Sequence, residues 1–158
     1  MNGLRILLSS LKEYDSQSKF SSVSIALTAL YFLSLWPQNA GLKHIDSYEF
    51  LAQAEQLGIC HPPGYSLFSS LGHISILIGN ELCFSSAWSL LGGLYVLGLI
   101  TLLSLSWMVW KSSGSLFVSL FFGTSLLQCR VFQFASNSIE VYGLLAFLFT
   151  LFLISIQW

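Results

Sequence analysis

The sequence predicts an all-α integral membrane fold of about four transmembrane helices, with an extracytoplasmic loop that carries short juxtamembrane helices. Composition is the first reason: 54% of the 158 residues are hydrophobic and 8% carry a formal charge, against about 25% charged in an ordinary soluble domain. The spread of charge is the second. Ser85 to Trp110, Ser112 to Gln128 and Val141 to Trp158 contain no Asp, Glu, Lys or Arg, and uncharged apolar runs of roughly 17 to 26 residues suit a helix crossing the hydrocarbon core. The partner that composition implies is the lipid bilayer. A net charge of −1 provides no basic patch to neutralise phosphates, so no nucleic-acid partner is expected.

Residues 1–19 hold Arg5, Lys12 and Lys19 against Glu13 and Asp15, with apolar residues clustered from Leu4 to Leu11. They predict a cytoplasmic or interfacial N-terminal helix. The first span follows over 20–36, from Phe20 to Trp36, and Pro37 ends it. A cleaved signal peptide is not expected, because the apolar stretch starts late and lacks a small-residue cleavage pattern.

Residues 37–83 form the polar centre, with Lys43, His44, Asp46, Glu49, Glu55, His61, His73 and Glu81. Ile45, Phe50, Leu51, Ala54 and Leu57 fall near helical spacing, which predicts a helix over Asp46 to Leu57. Asp46 or Ser47 is available as its N-cap and Gly58 as its terminator. His61-Pro62-Pro63-Gly64-Tyr65 then stops one helix and favours the start of another. Tyr65 to Ile78 is short and interrupted by serines, so it is expected to lie in the interface or pack on its neighbours, with a short span as the alternative. Further spans are predicted at 87–110, 115–134 and 142–157, with an extracytoplasmic turn at 135–141.

Positively charged residues near span ends tend to stay in the cytoplasm. Four spans keep Arg5, Lys12, Lys19 and Lys111 inside and place Asp46, Glu49, Glu55, Glu81 and Glu140 outside. Adding Tyr65 to Ile78 as a fifth span would move Lys111 out. Cys60, Cys83 and Cys129 have no metal-ligand spacing. His44 and His73 read as hydrogen-bonded structural residues. The tryptophans, with Tyr65 and Tyr142, sit where interfacial anchors belong. Gly92, Gly93 and Gly98 suit close helix packing.

Three motifs occur in order: Asp46-Ser47-Tyr48-Glu49-Phe50, Leu57-Gly58-Ile59-Cys60-His61-Pro62-Pro63-Gly64-Tyr65, and Ser138-Ile139-Glu140-Val141-Tyr142. Together they resemble the GT-C glycosyltransferase family whose eukaryotic members are transmembrane protein O-mannosyltransferases, with uncharacterised bacterial relatives. The chain departs from that family's pattern at Tyr48, where Gly is preferred, and at Ser66, where Pro is preferred. The resemblance covers nearly the whole chain but only the family's N-terminal part.

It implies a multi-pass enzyme, of a bacterial inner membrane or the endoplasmic reticulum, that moves a sugar from a polyprenyl-phosphate donor to an acceptor on the extracytoplasmic side. Asp46 matches the catalytic aspartate, and a carboxylate in that place suits removal of a proton from an acceptor hydroxyl. Glu49, three residues on, shares its helical face. Arg130 and His61 are the candidates to stabilise a lipid-phosphate leaving group, while Tyr65, Glu140 and Tyr142 are further candidates for substrate binding. For Arg130 the alternative is a structural pair with Glu140 or snorkelling; for Asp46 it is a simple helix cap. No Asp-x-Asp motif is present, so no metal site is assigned and a divalent cofactor stays open.

The competing function is a small non-enzymatic multi-span protein, an assembly subunit or a transporter fragment, which would carry its ionisable groups within spans near the midplane. The chain is also expected to be incomplete as an enzyme and inactive alone. Small residues at Gly92, Gly93, Gly98, Ser104, Ser106, Ser119, Gly123 and Ser125 are expected to leave helix faces for additional membrane helices or a subunit.

Overall fold

In a computed structural model, the described residues are 2–35, 45–58 and 65–157, with side chains described for 17–35, 46–58 and 65–157. Among them the structure consists of helices joined by short turns: α1 (Asn2–Leu35), α2 (Ile45–Gln56), α3 (Ser66–Glu81), α4 (Ser86–Ser113), α5 (Leu116–Gln128), α6 (Arg130–Asn137) and α7 (Tyr142–Gln157). Lys43, His44, Cys60 and the His61-Pro62-Pro63-Gly64 motif lie outside the described residues.

This is the all-α membrane fold expected. Two described segments, Gln17–Leu35 and Ser86–Ser113, are long and apolar enough to cross a membrane, and α5 with α6 forms a third if their 69° bend is taken within one span. The fourth predicted span, α7, is apolar but has 16 residues, about 24 Å of helix against a core of about 30 Å.

Two elements differ from expectation. The N-terminal segment and first span form one continuous helix, because neither Gly nor Pro occurs between Gly3 and Pro37. Serines along it return their hydroxyls to the preceding turn, as Ser21 does to the Gln17 carbonyl (3.0 Å) and Ser24 to that of Phe20 (3.1 Å). The second difference is at 115–134, which breaks at Cys129 (φ −71°, ψ 117°). No proline or glycine causes it, and the freed carbonyls find local donors. The Gln133 side-chain amide donates to the Leu127 carbonyl (2.8 Å) and the Cys129 N–H to that of Leu126 (3.0 Å).

α4 is the central helix, and small residues let others approach it. A Cβ on Gly98 would collide with the Tyr31 hydroxyl and lie 2.6 Å from Ser136 Oγ, so α1, α4 and α6 meet there. A Cβ on Gly123 would lie 2.7 Å from Leu27, and the Ser119 hydroxyl donates to the Ser106 carbonyl (2.7 Å). Gly93 abuts Ser75. Much of the small-residue surface expected to await further helices is thus filled from within the chain. Gly92 has nothing near it and Ser125 is exposed.

Tyr31 and Tyr95 lock α1 to α4 reciprocally. Tyr31 donates to the Tyr95 carbonyl (2.7 Å), Tyr95 donates to the Tyr31 carbonyl (3.2 Å), and the rings lie 4.5 Å apart. Hydrogen bonds between membrane helices contribute about 0.6 to 2 kcal/mol each. Tyr31→Phe is therefore expected to destabilise by about 1 kcal/mol, seen as a lower thermal midpoint in detergent; an unchanged midpoint would mean the bond contributes nothing.

The bundle has two distinguishable ends. At one, Phe20 stacks on Trp110 (4.8 Å), the Lys111 ammonium lies 5.8 Å and 5.1 Å from the Trp107 and Trp110 ring centres, and Gln157 donates to the Ser112 hydroxyl (3.0 Å). Lys19, next to Phe20, therefore shares an end with Lys111. The Asp46–Phe50 and Ser138–Tyr142 motifs lie toward the other end.

Candidate functional site

The site is built on α2. Ser47, Phe50 and Ala54 are buried while Asp46 and Glu49 are exposed, as helical spacing requires when positions i, i+3 and i+7 form the inward stripe. Phe50 packs on Tyr65 (5.7 Å, edge-on) and Phe68 (5.3 Å). Close approach of α2 to α3 depends on Gly72, whose Cβ would lie 2.8 Å from that of Ala54. His73 then closes the pair through Nδ1, 2.8 Å from the Ala54 carbonyl. A carbonyl only accepts, so Nδ1 carries the proton, and His73 takes the structural role read from the sequence.

The terminator of α2 lies one residue earlier than expected. Leu57, not Gly58, adopts the left-handed conformation (φ 51°), and the Gly58 N–H reaches back to the Gln53 carbonyl (3.1 Å). This is the bond of a Schellman turn, with a residue where glycine would be unstrained. Leu57 is exposed, so Leu57→Gly is expected to raise stability by about 1 kcal/mol, measured as a higher unfolding midpoint.

Glu140 enters from the other side, in the turn between α6 and α7. Its flanks Ile139 and Val141 are buried in the same apolar cluster as Phe50, Ala54, Leu90, Leu94 and Leu144, and its N–H donates to the Ser138 carbonyl (2.9 Å). Gly143 permits this turn, since a Cβ there would lie 2.6 Å from the Ala135 backbone oxygen. The Glu140 side chain is buried, and the Ser47 hydroxyl donates to its Oε1 at 3.3 Å. Residues 93 positions apart are thereby joined. One carboxylate is enclosed at the joint, and Asp46 and Glu49 are exposed near the start of α2.

The other predicted residues are placed more loosely. Tyr65 precedes α3, and its carbonyl accepts from the Ser69 N–H (2.9 Å) and hydroxyl (3.2 Å). Tyr142 is exposed at the start of α7, 6.4 Å ring to ring from Phe134. Arg130 is exposed as the first residue of α6, about 10 Å of helix from the end nearest Glu140. The structure therefore does not bring Arg130 and Glu140 together as neighbours. His61 lies outside the described residues. Among the described residues no three His, Cys, Asp or Glu side chains cluster as metal ligands do.

Ser47 was not singled out as a site residue by sequence reasoning. The available signal was its place in the inward stripe with Phe50 and Ala54, where a buried hydroxyl needs a partner. Gln133 was missed because a helix break without Pro or Gly leaves no mark in composition.

Fold and site together define an all-α membrane protein with a carboxylate-bearing helix start joined to a buried glutamate between two later helices. The chain belongs to the family described as protein O-mannosyl-transferase TMEM260 N-terminal domain, whose profile matches residues 46–158. It is similar to the protein O-mannosyl-transferase tmem260 of Dictyostelium discoideum, with 36% identity over 66 residues, 42% of this chain and 8% of that relative. The chain thus matches a small part of that relative's length. No solved structure matches. The resemblance read from the three motifs is borne out as likeness to the N-terminal part of an O-mannosyltransferase.

Proposed function

We propose that this chain forms the acceptor-side carboxylate site of a multi-pass membrane glycosyltransferase, which moves a sugar, mannose by family likeness, from a polyprenyl-phosphate carrier to a hydroxyl on the extracytoplasmic side. The observation that carries the reading is the Ser47–Glu140 joint, which gathers the first and third family motifs at one place.

In this mechanism Asp46 takes the proton of the acceptor hydroxyl as its oxygen attacks the anomeric carbon. The bond from that carbon to the carrier phosphate breaks, and the phosphate leaves with the bonding pair. Glu49 lies on the same helical face and adds negative charge or a hydrogen-bond acceptor beside it. Arg130 and His61 are the groups proposed to offset charge on the departing phosphate, with Tyr65 and Tyr142 proposed as walls of the substrate site.

An apolar groove of ≈ 800 Å³ between α3 and α4, lined by Ile74, Ile78, Leu82, Trp88, Leu91 and Val96 among others, supports a lipid-borne donor, because an isoprenoid chain needs a dry, unbranched path. The shared end of Lys19 and Lys111 supports a cytoplasmic position for that end and an extracytoplasmic position for α2.

The test is transfer of labelled mannose from a polyprenyl-phosphate donor in membranes holding this chain together with the additional membrane helices or subunit proposed to complete its site. Transfer to a hydroxyl-bearing acceptor above that of membranes lacking the protein is expected. Sugar transfer that proceeds equally in its absence would contradict the reading.

A further inference from the structure

We propose that Ser47 is a positioning residue, whose hydrogen bond to Glu140 sets the rotation and height of the first turn of α2 and thereby places the Asp46 carboxylate. The proposal rests on the reading of Asp46 as the proton acceptor.

Two contacts with different character fix α2. Phe50 and Ala54 hold its middle against α3 through rings and close backbone approach. Apolar packing of this kind is non-directional and permits a helix start to tilt. Ser47 lies one turn nearer the N-terminus and is fully buried, and its hydroxyl reaches the α6–α7 turn rather than its own helix. A hydrogen bond has a preferred angle as well as a distance, so it can set orientation where packing does not.

The acceptor is itself held firmly. Ile139 is fully buried, Val141 nearly so, and Gly143 packs so closely on the Ala135 carbonyl that an added Cβ would lie 2.6 Å from its oxygen. Glu140 therefore acts as a fixed post and Ser47 as the tie to it. Asp46 is the residue immediately before the tie, so a small rotation at Ser47 moves the Asp46 side chain along an arc. A misplacement of about 1 Å can lower a rate about 100-fold.

The experiment places spin labels at the exposed positions 48 and 142 of the full chain in lipid nanodiscs and measures the distance distribution between them. The cycle comprises the parent, Ser47→Ala, Glu140→Ala and the double variant. Ser47→Ala is expected to broaden or shift the distribution, and to add no change on the Glu140→Ala background, because the tie is already cut. In transfer assays Ser47→Ala is expected to lower kcat about tenfold or more with the donor KM unchanged. A Ser47→Ala distribution that superimposes on the parent overturns the proposal, as does an equal shift on both backgrounds. Failure of the catalytic reading is separate: Asp46→Asn would then transfer at the parental rate, whatever the label distances show.

Discussion

Asp46→Asn is expected to lower sugar transfer by about 100- to 10,000-fold, the range attributed to a positioned general base. The substitution is chosen because it changes little else. Asn has nearly the shape of Asp and a similar helix propensity, and losing the first-turn charge costs only about 0.3 to 1 kcal/mol of helix-dipole interaction, so α2 and its contacts with Tyr65 and Phe68 should persist. What it removes is the capacity to accept a proton. Asp46 is exposed, so the loss leaves no buried group without a partner and the unfolding midpoint should stay near the parent's. Glu49→Gln should cost less, because in this account Glu49 only shapes the surroundings of Asp46. The measurement is the initial rate of transfer from a polyprenyl-phosphate sugar alongside thermal unfolding. Parental activity in Asp46→Asn would leave the family match intact but remove this residue's role.

Gly79→Ala should give the largest loss of stability among single-methyl changes. The added Cβ would collide with the Ser89 side chain and lie 3.2 Å from the Ser89 Cα. Ser89 cannot turn aside freely, since its hydroxyl donates to the Ser85 carbonyl (2.9 Å). α3 would have to move off α4, opening the apolar groove and disturbing the support under α2. Overpacking of this kind costs about 1 to 3 kcal/mol. Gly92→Ala is the control, one helix over: nothing lies within 4 Å of its Cβ position, and alanine favours a helix by about 1 kcal/mol over glycine. The unfolding midpoint should therefore fall with Gly79→Ala and hold or rise with Gly92→Ala. The reverse order would mean that α3 and α4 are not packed as described.

Much of this was legible in the sequence, for identifiable physical reasons. The apolar stretch from Phe20 marked the second half of α1, and the long uncharged run from Ser85 to Trp110 marked α4, because crossing a bilayer demands length and apolarity together. The start of α2 was readable from its apolar spacing to within one residue, although the helix begins at Ile45 and so encloses both expected caps, Asp46 and Ser47; its end was missed by one residue because Leu57 bears a strained conformation usually left to glycine. The break at Cys129 was not legible, since the local residues have no strong preference and the bend is stabilised by Gln133, a contact decided by tertiary structure. In the site, the motifs announced Asp46 and Glu140 but not the contact that joins their two segments. That depends on Ser47, whose neighbours in sequence are more conspicuous. Arg130 was expected within the predicted span 115–134, near its outer end, whereas the bend places it at the exposed start of α6.

We propose that the α2 carboxylates and the α6–α7 turn share one extracytoplasmic end of a multi-pass bundle. Single cysteines at positions 48, 142 and 112, introduced after replacement of Cys60, Cys83 and Cys129, test it directly with a membrane-impermeant thiol reagent on intact cells. All three positions are exposed. The account predicts strong labelling at 48 and 142, and labelling at 112 only after the membrane is opened. Labelling of 48 and 142 from opposite sides of the membrane would contradict it.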